Sequence, residues 1–176
     1  AHAEQVAKLA LIFFDKTKGL HNLSNNERDL LEAGALLHDI GYYISANKHH
    51  KNAMLLIDSE ALPGFSSLEK EIIANIARYH KGKLPKNKHE RYSKLSENDR
   101  SIVSKLSGIL RIADALDRSH NNIVEDMDVI LNSFYNNMTI CLKLNTPECS
   151  SEIIKADEKK NLFEKEFGLS VKFVAI

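Results

Sequence analysis

His38 and Asp39 close the apolar run Ala33-Gly34-Ala35-Leu36-Leu37. Two strongly polar side chains at the end of a stretch built for burial demand partners, because a buried imidazole or carboxylate is costly when unpaired. A divalent ion satisfies both at once. His2, His80 and Asp114 fall on the inward stripes of other helical segments. Imidazole and carboxylate are the usual ligands of Mn²⁺, Fe²⁺, Zn²⁺ and Mg²⁺. Adjacent helical residues diverge by about 100°, so His38 and Asp39 reach one ion only near a helix end, and Gly41 reads as the cap that ends the helix there. His49 and His50, at the start of another helix, are candidates for a second ion. With an open coordination position, such an ion binds a phosphate oxygen and acidifies a bound water.

The elements that must carry these residues are helical from residue 2 to about 118. Val6, Leu9, Ala10 and Phe13 recur at helix spacing, with His2 one turn ahead on the same face. Ser24-Asn25-Asn26-Glu27 and Ser66-Ser67-Leu68-Glu69 are capping boxes. The first opens a helix with Leu30, Leu31, Gly34 and Leu37 inward. The second opens one with Ile72, Ile73, Ile76 and Ala77 inward and His80 a turn later. A further helix begins near His49 and runs through Leu55, Leu56 and Ile57. Ser96 to Arg118 reads as the longest helix, where Val103, Leu106, Leu110 and Ala113 lead to Asp114 on one stripe.

From about residue 122 the period changes. Residues 127–131 and 138–144 read as strands joined by a loop over 132–137, residues 151–167 as a helix ended by Gly168, and residues 171–174 as a last strand. The fold class is mainly α. A helical domain over residues 1–121 carries a small α+β subdomain over residues 122–176, packed on it.

Composition narrows the function classes. Lys plus Arg and Asp plus Glu balance at 24 each, so no global charge recruits nucleic acid or membrane. The apolar stretches are too short to span a bilayer. Cys141 and Cys149 form no CxxC pair and no disulfide framework, which suits a reducing, cytoplasmic setting. The chain opens in helical character at Ala1-His2-Ala3 without an initiator Met, as a piece of something longer would. Locally the balance breaks: Arg78 to Lys94 holds seven basic residues against Glu90 alone, interrupted by Gly82 and Pro85. A cationic loop beside His80 suits a polyanionic phosphate, and equally a solvated surface loop. No recognition helix or aromatic platform favours nucleic acid.

Each candidate has a plainer reading. His2 and His80 can be core residues bonded to backbone carbonyls, and Asp114 can pair with Arg111 or Arg78. His38-Asp39 can be a helix end and His49-His50 a solvated helix start, while His21, His89 and His120 read as surface residues. Jointly, the inward set from four helices favours a metal site.

In order, His2, His38-Asp39, His80 and Asp114 resemble the HD superfamily of metal-dependent phosphohydrolases. The strings Leu36-Leu37-His38-Asp39-Ile40-Gly41, His49-His50-Lys51, Leu62-Pro63-Gly64-Phe65 and Ala77-Arg78-Tyr79-His80-Lys81 go further. With the segment from Leu110 to His120 and the ending Lys160 to Gly168, they are similar to the C-terminal HD-type domain of the Ppx/GppA family, the exopolyphosphatases and guanosine pentaphosphate phosphohydrolases. The resemblance runs over essentially the whole chain and implies an HD-type helical bundle with one or two divalent ions (Mn, Mg, Fe or Zn). It also implies that the family's phosphohydrolase site lies in an actin-like pair of domains outside these 176 residues. This domain would then help bind polyphosphate and make dimer contacts. Yet every HD position here carries a competent ligand.

Two functions follow. In the first, the domain is itself a divalent-metal phosphohydrolase acting on polyphosphate or a related phosphate ester or anhydride. His2, His38, Asp39 and Asp114 hold the principal ion, His80 and His50 a second, and Lys81 and Arg111 neutralise the phosphate. In the second, it is a non-catalytic polyphosphate-binding and dimerisation domain, a homodimer, of an exopolyphosphatase whose catalytic actin-like domains lie outside these residues. A dimerisation module with a structural metal is the blandest version.

Overall fold

Both Ser-x-x-Glu signals fold as capping boxes. Ser24 Oγ accepts from the Asn26 N–H while the Glu27 carboxylate accepts from the Ser24 N–H at 2.7 Å. Ser66 and Glu69 make the same reciprocal pair. Each box occupies donors that a helix start otherwise leaves open, worth on the order of 1 kcal/mol per cap.

In the computed structural model, which describes residues 2–176, these caps open two of the helices in a bundle. It comprises α1 (His2–Lys16), α2 (Lys18–His21), α3 (Asn25–Leu37), a 3₁₀ turn over Ile40–Tyr43, α4 (His49–Ser59), α5 (Ser67–Tyr79), α6 (Glu90–Ser93) and α7 (Glu97–Ala115). Helix α1 packs on α3 and α7, α5 packs on α3, α4 and α7, and the 3₁₀ turn packs on α4. Their apolar stripes meet around Phe13, Phe14, Leu31, Ile73, Leu106 and Ile109.

The chain then enters a three-stranded sheet. Strand β1 (Val124–Asn132) runs antiparallel to β2 (Asn137–Leu144), and β3 (Ser170–Ala175) lies parallel to β2 on its other side. Parallel pairing needs a crossover, supplied by α8 (Ser150–Lys159) and α9 (Asn161–Phe167). Strand β1 starts three residues before the apolar alternation does, because a register shift between Val124 and Asp126 breaks the two-residue period. The expected single helix over 151–167 is two. At the break the Lys160 ammonium donates to Val171 O at 2.7 Å, tying the helix junction to β3. The apolar core runs unbroken from bundle to sheet, with the ring of Phe163 of α9 packed 5.0 Å from that of Phe13 of α1 at a tilt of 34°.

Two local readings are corrected. His21 is buried, not a surface residue: its Nε2–H donates to Phe14 O at 2.9 Å and its Nδ1 accepts from the Leu23 N–H at 2.9 Å. Gly41 does not cap α3, which ends at Leu37 with His38 as its C-cap. The glycine is required by proximity: a Cβ there would stand 1.9 Å from His49 O and 2.5 Å from Ala53 N, both backbone atoms of α4.

Candidate metal centre

Helix ends converge on one point. His38 is the C-cap of α3, Asp39 begins the 3₁₀ turn, and His80 is the C-cap of α5. His49 is the first residue of α4, His2 the first of α1, and Asp114 lies in the last turn of α7. A helix leaves its final carbonyls without partners, and here histidines take them. His38 Nδ1–H donates to Ala35 O at 2.6 Å, and His80 Nδ1–H to Ala77 O at 2.6 Å. His49 makes the same three-residue return to Ala46 O at 3.2 Å.

A carbonyl only accepts, so these contacts assign the ring proton to Nδ1 and leave a lone pair on each Nε2. His2 is set the same way, its Nδ1–H donating to Asp117 Oδ2 at 2.7 Å. Asp117 is itself buried and anchored by the Asn122 N–H at 3.0 Å.

The four Nε2 atoms surround Asp39. Its Oδ1 lies 3.4 Å from His49 Nε2, 3.5 Å from His38 Nε2 and 3.7 Å from His80 Nε2, and its Oδ2 lies 3.8 Å from His2 Nε2. His49 and His80 face each other at 3.3 Å through Nε2 atoms. His38 Nε2 is buried with no hydrogen-bond partner. Acceptors packed this closely repel unless a cation lies among them, and the second nitrogen of each imidazole is held as metal-ligating histidines are held. Two triads meet the ligand geometry, His2-His38-Asp39 and Asp39-His49-His80, and Asp39 belongs to both. The donor set fits one ion or an Asp39-bridged pair.

Asp114 closes the first triad, with Oδ1 3.3 Å from His2 Nε2 and 3.6 Å from His38 Nε2. Its partner is neither Arg111 nor Arg78. The Lys159 ammonium, at the end of α8, is bonded to its Oδ2. Burial alone would raise the Asp114 pKa, but the His2 and His38 imidazoles beside it and the charge of Lys159 outweigh it and hold the carboxyl well below the usual range. Burial likewise pulls His2 down, and its bonds to Asp114 and Asp117 win, holding it above the ordinary histidine value. His80 goes the other way: burial and the charge of His38 keep it well below that value, as a neutral ligand requires.

Above these atoms opens a cleft of about 730 Å³, lined by Lys81, Arg118, His120, Lys155 and Lys159 as well as the ligand candidates. Tyr42 stacks on His49 at 4.1 Å and His120 on His2 at 3.9 Å, fixing both rings. Lys81 stands at the rim, exposed. Arg111 does not line the cleft: its buried guanidinium donates to Tyr79 O at 3.0 Å and Gly82 O at 3.3 Å, stapling the end of α5 to α7. His50 also points away, toward Gly82, leaving His49 as the α4 residue beside His80.

The family model for Ppx/GppA phosphatase, domain III, matches residues 1–158. The chain belongs to that family. The HD-superfamily assignment made from the same residues agrees with it. In this domain III the candidate ligand cluster lies wholly within the matched residues, and Lys159 falls immediately after them.

Sequence reasoning named His49 and His50 together as candidates and assigned His50 to the second ion, although a signal for His49 was present. Ala35-x-x-His38, Ala46-x-x-His49 and Ala77-x-x-His80 share one spacing, that of a ring returning to the carbonyl three residues back. Asp117 sits three residues after Asp114 on the same helical side. Lys159 has no local signal.

His50 carries a pH prediction for domain III. Burial, then the charges of Arg78, His49, Lys51 and Lys81, push its pKa from 6.5 down to about 4. The unfolded chain takes up a proton near 6.5 and the folded one does not, so folding stability is full above that pH and falls as the pH drops toward about 4. Thermal melts across this range should show a declining Tm, less steep in His50→Asn. An NMR titration placing the His50 midpoint at 6.5 or above would refute the assignment.

Proposed function

We propose that this domain III is a divalent-metal phosphohydrolase site, taking a phosphate anhydride or ester in the cleft above Asp39. The observation that carries the reading is the cluster of Nε2 lone pairs around one carboxylate, with every Nδ1 already committed. His2, His38, Asp39 and Asp114 would hold one ion, and Asp39, His49 and His80 a second. A divalent ion supplies Lewis acidity toward a phosphoryl oxygen and acidifies water. The chain supplies the rest. Lys81 and Arg118 set positive charge around the cleft mouth, where an oxyanion exchanges water for charge-assisted hydrogen bonds, while Lys155 is paired with Glu158 of the same lining. Arg111 keeps the Tyr79–Gly82 rim in place. Asp117 and the carbonyls of Ala35, Ala46 and Ala77 hold the imidazoles in one tautomer. Free Cys141 and Cys149 suit a cytoplasmic setting.

The test is Mn²⁺-dependent orthophosphate release from long-chain polyphosphate, with Asp39→Ala alongside. Turnover present in the wild type and lost in the variant supports catalysis by this domain. Bound metal without turnover on polyphosphate, pyrophosphate or a nucleoside triphosphate overturns it in favour of the second reading.

That second reading, a polyphosphate-binding and dimerisation domain without catalysis, is favoured by Lys159. Its ammonium occupies one oxygen of Asp114, so a protein cation already serves a carboxylate that an ion would use. A unit charge and a dication a few ångströms apart repel by several kcal/mol even at an effective dielectric of about 20. An orienting partner is worth only about tenfold to a hundredfold in metal affinity. Lys159→Met is therefore expected to bind Mn²⁺ at least about tenfold more tightly. Calorimetric titration checks this, and weaker binding would make Lys159 an orienting residue instead.

A further inference from the structure

Two consecutive lysines at the end of α8 reach different parts of the fold. The Lys159 ammonium is bonded to Asp114 at the candidate metal centre, while that of Lys160 donates to Val171 O in β3 at 2.7 Å and to Asp157 at 2.8 Å. Glu164 accepts the Val171 N–H at 2.8 Å, so both backbone groups of that strand residue are held at the α8–α9 junction. The other end of α8 is anchored too. The fully buried Glu152 carboxylate accepts from the Ser119 N–H at 3.1 Å, just past the end of α7. With both ends of the helix held, rearrangement at Lys159 falls on its side chain, a four-carbon stem that rotates freely.

Asp114 divides its two oxygens. Oδ1 faces the His2 and His38 Nε2 atoms at 3.3 Å and 3.6 Å, and Oδ2 carries the ammonium. The ion pair is largely buried, with 11% and 14% of the two side chains exposed, so like and unlike charges there act more strongly than on the open surface. An ion held through Oδ1 draws on the same carboxylate and stands beside the like charge of Lys159. The cleft offers that ammonium no second partner of its own. Its lining holds three carboxylates: Asp39 is shared by both ligand triads, Asp114 is the one in contention, and Glu158 is bound by Lys155 at 2.5 Å. A partly desolvated ammonium without a counter-charge is costly, and an anion entering from solution supplies what the lining lacks.

We propose that Lys159 is an exchangeable counter-ion: it neutralises Asp114 until a divalent ion takes that carboxylate, and then turns within the cleft to hold an oxyanion beside the ion. The exchange couples the two ligands. Metal binding frees the donor that the anion needs, and the anion relieves the repulsion between ammonium and ion, so each tightens the other by the same factor. No bond is made or broken. The inference rests on the metal reading of this centre and goes beyond competition for Asp114, since it gives Lys159 a second partner and makes metal affinity depend on the anion.

Amine labelling with an N-hydroxysuccinimide ester, read by mass spectrometry, follows the ammonium directly and needs no variant. Lys159 should be protected in EDTA, labelled at least about fivefold faster at saturating Mn²⁺, and protected again when sulfate, as the oxyanion probe, is added to the loaded protein. Lys160, held by Val171 O and Asp157, is the neighbouring control and should not change. Calorimetry reads the coupling. Sulfate should tighten Mn²⁺ binding at least about fivefold, the lower end of ordinary couplings, in the wild type and in Lys159→Arg but not in Lys159→Met. Lys159 labelling unaffected by bound Mn²⁺ would overturn the exchange, as would an equal sulfate effect in Lys159→Met. Failure of the wild type and of both variants to take up Mn²⁺ would remove this inference together with the metal centre. Exchange and coupling without turnover on polyphosphate would support this role of Lys159 and count against catalysis alone.

Discussion

Asp39→Ala should lose Mn²⁺ binding by at least about a hundredfold, beyond the range that orienting partners alone command. Asp39 is the one residue shared by both ligand triads, and its Oδ1 lies within 3.7 Å of three imidazole nitrogens. The fold should survive the change. The carboxylate sits at a helix end with 28% of its side chain exposed, caps nothing through its side chain, and belongs to no apolar contact. Removing it also relieves acceptor crowding around His49 and His80. The expected result is near-wild-type circular dichroism with Mn²⁺ binding, followed by calorimetry or electron paramagnetic resonance, reduced to background. Wild-type Mn²⁺ affinity in the variant would exclude this centre.

Gly41→Ala should be the most damaging single methyl in the chain. The added Cβ would meet His49 O at 1.9 Å and Ala53 N at 2.5 Å. Both belong to the α4 backbone, so no side-chain rotation relieves the clash and α4 itself must move. Overpacking by a methylene ordinarily costs about 1–3 kcal/mol. A backbone collision exceeds that, and the expected loss is about 3 kcal/mol or more. The same movement withdraws His49 from Asp39 and His80, so the variant, where still folded, should bind fewer Mn²⁺ equivalents than the wild type. Urea denaturation and metal stoichiometry read the two effects. Stability within about 0.5 kcal/mol of wild type, the range of a neutral surface change, would refute the contact.

Much of the architecture was legible because its causes are local. The Ser24 and Ser66 boxes act over three residues, and the apolar stripes of α1, α3, α5 and α7 repeat every turn, so helix starts and inward faces could be read directly. The centre was legible for the same reason. His38 and His80 end their helices and bond the carbonyl three residues back, which turns Nε2 inward wherever the helix is placed. The α8–α9 break and the β1 bulge were not legible, since each depends on a neighbouring strand: Lys160 on Val171, and Val124 on Leu144.

The division follows the reach of the interactions. By itself the sequence determined the bundle, the family and the candidate histidines and carboxylates, all of which rest on spacings of a few residues. Only the tertiary structure decided which atoms meet. It chose His49 over His50, because the Gly41 contact sets the position of the first turn of α4. It turned Arg111 from a phosphate ligand into a staple. It paired His2 with Asp117 across 115 residues and Asp114 with Lys159 across 45. Such partners leave no local pattern, since burial brings them together only after the helices have packed and each buried charge must find whatever counter-charge the packing provides.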